Sequence, residues 1–200
     1  MKHWFSVGVI PYFVAVFLSG FVQMGMFILF QRWLSFSFSG PSFFWRSMLL
    51  QFSLFVPCVF MVAPASFFSS RFPKGKVMAW SSFGMTLTLV AIAVLFGLDI
   101  GWVAFGLMLL YGIFLSIHSP AKLGLLKELF GDRNLVKANA WQSSVAVLGM
   151  VAVSFLTISF TPGEDSPIPY EILPYIFLSL SLCGTIFFFF FFRGQILKAY

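Results

Sequence analysis

The sequence predicts an all-α integral membrane protein, a bundle of six transmembrane helices with no sizeable soluble part. Three observations carry that expectation. Sixty per cent of the 200 residues are hydrophobic and only 9% are charged, where a soluble domain carries roughly 25% charged residues. The mean hydropathy is +0.98. The apolar residues gather into stretches of about 20, the length a helix needs to cross a bilayer.

The stretches are roughly 7–30, 48–69, 77–97, 101–120, 139–160 and 173–192, forming a single transmembrane domain over residues 1–200. The first follows Met1-Lys2-His3 and is too long, with no small-residue cleavage site after it, to read as a signal peptide. Gly40-Pro41 breaks the first connection. Arg71-Phe72-Pro73-Lys74-Gly75-Lys76 is a tight basic turn, and Asp99 marks a very short third connection. Pro120 is expected to end the fourth helix. Segment 121–138 is longer, charged and helix-competent, and Thr161 to Pro167 is a polar loop.

Charge placement gives an orientation. Lys2, Arg71, Lys74, Lys76, Lys122, Lys127, Arg133, Lys137, Arg193 and Lys198 fall on one set of connections, ten of the twelve basic residues. Only Arg32 and Arg46 fall on the other, with Glu164, Asp165 and Glu171 in its last loop. Lys and Arg concentrate in cytoplasmic loops, so both termini are expected in the cytoplasm. The net charge of +6 is thereby a topology signal, and no nucleic-acid partner is expected.

Candidate chemistry is sparse. All six acidic residues, Asp99, Glu128, Asp132, Glu164, Asp165 and Glu171, lie outside the apolar stretches. Ionisable groups inside a membrane are costly and mark relays and pathways, so no proton relay is visible. His118, at the end of the fourth stretch, reads as interfacial. No nucleophile–base pair or phosphate-cradling glycine loop appears, so no enzyme activity is expected. Neither a cofactor nor a metal site is expected; Cys58 and Cys183 sit in apolar stretches and read as inert thiols. The thirty phenylalanines, including the run Phe187 to Phe192, read as apolar filler where lipid tolerates any large side chain. The basic turn has two readings: a topology anchor at anionic headgroups, or a gating latch formed by Arg71, Lys74 and Lys76. Segment 121–138 likewise reads as an amphipathic connector or as a strip that meets anions through Lys122, Lys127 and Lys137, with Glu128 offsetting part of the charge.

The stretch Ser119-Pro120-Ala121-Lys122-Leu123-Gly124-Leu125-Leu126-Lys127-Glu128-Leu129-Phe130, followed by Leu135-Val136-Lys137-Ala138-Asn139-Ala140-Trp141, resembles the bacterial lysophospholipid transporters of the major facilitator superfamily. Those carriers have Ser-Pro-Ala-Lys, a Glu-Leu pair and Leu-Val-x-Ala-Asn after the fourth helix. Arg71-Phe72-Pro73-Lys74 through Val77 is similar to the superfamily's basic loop after helix two. The nearest counterpart of the polar cluster in the family's first helix is Val22-Gln23-Met24.

The resemblance implies the N-terminal six-helix half of a major-facilitator fold in the cell inner membrane. It implies movement of lysophospholipid by alternating access, with Lys122, Lys127, Glu128 and Asn139 as headgroup-facing candidates. The implied partners are membrane lipid, a second six-helix half or a second copy, and an acyltransferase that uses the lipid. Two rivals stand beside it: efflux of another amphiphile, and a transport-inactive subunit or anchor of a partner acyltransferase.

Overall fold

A computed structural model of the chain describes residues 9–98 and 100–159, with Ile176, Ser179, Leu180 and Leu182 beyond them. The described residues form four long helices in the order α1 (Val9–Ser37), α2 (Pro41–Arg71), α3 (Lys74–Gly97) and α4 (Gly101–Ser159). All four are long and apolar enough to cross a membrane, which fits a membrane protein.

Six separate helices are therefore not seen. The first three expected stretches correspond to α1, α2 and α3. The fourth and fifth lie in one helical run, α4, and 173–192 falls largely outside the described residues. The reason lies in 121–138. Pro120 does not end the helix but sits within it, and the following Ala121 to Phe130 is rich in strong helix formers. The run bends at Gly131 (φ 68°, ψ 167°), a backbone conformation that glycine alone adopts readily. α4 thus has two arms, 101–130 and 132–159.

The other connections follow local chemistry. Gly40 takes φ 61° ahead of Pro41 at the first position of α2, where a missing N–H costs nothing. Phe72 is extended (φ −109°, ψ 152°), as the residue before a proline prefers, and α3 starts just after Pro73.

α4 is the hub: it packs against each of the other helices, while α1–α2 and α2–α3 contacts are slight. In a bilayer, burying one apolar side chain against another gains little over lipid, so close backbone approach through small residues decides the packing. Two crossings show this. A Cβ on Gly149 would lie 2.4 Å from the Phe17 carbonyl oxygen, and one on Gly20 would lie 2.6 Å from that of Ala146. α1 and the second arm are therefore in backbone contact. Pro57 leaves the Ser53 carbonyl without its helical donor, and Gly112 of the first arm fits against both residues.

The buried residues form two clusters, one toward each end. Tyr12, Val16, Met78, Ala121, Leu126 and Ala138 make one. Phe30, Leu34, Leu50, Ile92, Ala104 and Met108 belong to the other. The start of α1, the 71–76 turn and the bend of α4 thus share one end of the bundle, here called the basic end.

Candidate functional site

Lys74 opens α3 directly after Pro73, so its side chain leaves the helix toward α4. Its Nζ lies 2.8 Å from Glu128 Oε1. Its methylenes cross Gly124, where a Cβ would come within 2.6 Å of Lys74 Cδ. The basic turn and the connector, distant in sequence, are thus one unit. Both side chains are partly exposed, and such pairs contribute about 0–1 kcal/mol, so this one sets position more than stability.

The ion-pair partner of Glu128 is thus Lys74 of the turn and not a lysine of its own connector. Asp132 lies 2.8 Å from Lys127 Nζ across the bend at Gly131. Lys127 is exposed there, outside the apolar stretches. Lys122 is half-buried, with no carboxylate among the described residues in ion-pair range. Its carbonyl lies 3.3 Å from the Tyr12 hydroxyl. Asn139 is exposed near the start of the second arm. Of the remaining turn residues, Arg71 places its guanidinium 4.8 Å from the Phe67 ring centroid. Lys76 is exposed and stands beside an apolar groove between α2, α3 and the first arm.

His118 is buried inside the bundle rather than open at its surface. It is 4% exposed, and its Nδ1 lies 3.1 Å from the Ser81 hydroxyl and 3.4 Å from that of Ser82. Ser81 donates to the Met78 carbonyl (3.0 Å). A serine near a histidine invites a catalytic reading, but no carboxylate among the described residues orients this ring as a third group would. The cluster is a satisfied internal polar contact between α3 and α4. Cys58 is half-buried and accepts from the Ser116 hydroxyl at 3.2 Å; Cys183 lies outside the described residues.

Three features were hidden in the linear pattern. Buried Tyr12 donates to the Gln142 side-chain carbonyl, tying α1 to the second arm. The hint was a lone tyrosine and a lone glutamine, each near the edge of an apolar stretch. Gln23 and Gln51 line a cleft of about 170 Å³ with Phe27, Leu54 and Met150, so two amides from different helices share one opening. At the end opposite the basic one, Arg46 stacks 3.4 Å from the Phe38 ring centroid and 4.9 Å from that of Trp102. Trp33 meets both rings edge-on, giving an aromatic belt of the kind found at membrane–water interfaces.

At the basic end Lys122 and Lys76 thus have no carboxylate within ion-pair range among the described residues, while Lys74 is paired with Glu128. Compared with protein-family models, curated proteins and solved structures, the chain matches none of them.

Proposed function

We propose that this chain forms a membrane transporter, or one half of one, that moves lysophospholipids across the bacterial inner membrane by alternating access. The carrying observation is the Lys74–Glu128 pair. It joins the two stretches on which the resemblance to lysophospholipid transporters rests, the turn after the second stretch and the connector after the fourth.

In this reading the basic end faces the cytoplasm, as its lysines and arginines favour. Lys122, half-buried and without a carboxylate partner among the described residues, meets the phosphate. Lys127, beside Asp132, and the exposed Asn139 flank its path. The Lys74–Glu128 pair is the latch: worth about 0–1 kcal/mol, it can break and reform in each cycle. The acyl chain follows the apolar outer walls. A second copy of the chain completes the pathway, and an acyltransferase on the cytoplasmic side consumes the lipid. No acidic residue lies in an apolar stretch, so flux through this chain runs down the lipid gradient.

The test is flux of a fluorescent lysophosphatidylethanolamine in vesicles holding the purified chain, followed by chemical quenching of the outer leaflet. The reading expects flux that rises with the square of protein density, exceeds that of the diacyl analogue, and ignores an ionophore. No flux at any density, or equal flux of the diacyl lipid, contradicts it.

A further inference from the structure

Beside the basic end, next to Lys76, lies a lateral groove that the headgroup path through Lys122 does not use. It has a volume of about 390 Å³ and lies between the end of α2, the start of α3 and the first arm of α4. Phe68, Phe72, Trp80, Phe114 and Ile117 wall it, and Lys76 stands at its edge. Phe68 and Phe72 stack at 6.1 Å, and Trp80 is 68% exposed. On the other side, Gly84 lets the Phe114 ring settle on α3, since a Cβ there would lie 2.4 Å from it.

The geometry points to this groove as a binding site for one acyl chain of a monoacyl anionic phospholipid, with its headgroup on Lys76. Three observations converge on that ligand. Ligand clefts run from about 300 to 1,000 Å³; this one is at the small end, enough for one chain and poor for two. Its lining is apolar apart from Lys76 and Ser81, and the Ser81 hydroxyl already donates to Met78 and sits against His118. Lys76 is therefore the open donor. The neighbouring cations are engaged, Lys74 by Glu128 and Arg71 over Phe67. Among the described residues no carboxylate is within ion-pair range of Lys76. One apolar slot beside one unneutralised ammonium complements one chain and one phosphate. The choice of ligand rests on the lysophospholipid reading; the site is separate from Lys122 and places lipid at the side of the bundle.

Trp80 reports on the groove. The full chain is reconstituted in neutral diacyl vesicles, and lipids with brominated chains are titrated in: monoacyl phosphatidylglycerol, monoacyl phosphatidylcholine and diacyl phosphatidylglycerol, at equal bromine density. The Trp80 signal is the difference between wild type and Trp80→Phe, which leaves the buried aromatic residues untouched. Monoacyl phosphatidylglycerol should quench Trp80 at a mole fraction about five-fold lower than monoacyl phosphatidylcholine, the effect of one lysine near an anionic head. Lys76→Gln should erase that difference and Lys76→Arg should keep it. Equal quenching by the two monoacyl lipids, a difference that survives Lys76→Gln, or diacyl lipid quenching as well as monoacyl overturns the assignment. Flux measured in the same vesicles separates the two claims. Preferential quenching without flux keeps the groove and removes transport, and flux without preference does the reverse.

Discussion

At Gly149 and Gly20 the absence of a side chain is what lets α1 meet the second arm of α4. The atoms in the way are backbone oxygens of Phe17 and Ala146, which cannot swing aside as a side chain can. Gly149→Ala should therefore force the helices apart, at an overpacking cost of about 1–3 kcal/mol. Gly106 is the internal comparison, with nothing within 4 Å of its would-be Cβ. Gly106→Ala should be neutral or stabilise by up to about 1 kcal/mol through helix propensity alone. Unfolding midpoints in detergent check both; equal midpoints for the two variants would mean that the crossing is not close. Neither glycine stood out in the sequence, because a glycine in an apolar stretch looks the same whether it faces lipid or a neighbouring backbone. The basic residues were more legible. Lys74 and Glu128 were each singled out, but their pairing depends on how α3 and α4 pack, which no local pattern encodes. The partners of His118 were hidden for a related reason: a histidine near a helix end gives no sign that Ser81 and Ser82 of α3 lie across from its ring.

The bend of α4 is the element on which the sequence reading and the fold part. Apolar length alone found α1, α2 and α3, and Gly40-Pro41 and Phe72-Pro73 marked their breaks, because these residues act through their own backbone. Pro120 misled. Within a membrane helix a proline's lost bond is tolerated, and Ala121, Leu125 and Leu126 hold the run in place by packing into the cluster with Tyr12 and Met78. The turning point falls at Gly131, whose φ of 68° and ψ of 167° are all but closed to residues with a Cβ. Gly131→Ala should cost about 1–3 kcal/mol, or open the angle between the arms. Spin labels at Leu109 and Val151, one on each arm, would show the second outcome as a longer or broader distance distribution. An unchanged distance together with an unchanged unfolding midpoint would show that the bend does not depend on glycine.

For the whole molecule, the membrane class was legible from composition, since few charges and long apolar stretches leave no other way to satisfy the backbone. The arrangement of the basic turn, the connector and the start of α1 at one end agrees with the alternation of connections read from the charges. What the apolar stretches could not convey is how the helices meet, since lipid-facing and helix-facing positions are equally hydrophobic. In the proposed function the basic end is one unit, latched by Lys74 and Glu128, through which a monoacyl phospholipid passes. The most direct measurement is lysophospholipid flux in vesicles for wild type, Lys74→Glu, Glu128→Lys and the double swap. Each single variant puts like charges at the two positions whose side chains now pair at 2.8 Å and should lower flux several-fold, while the double swap should recover most of the wild-type rate. A double swap no faster than either single variant, or single variants as fast as wild type, would contradict the account.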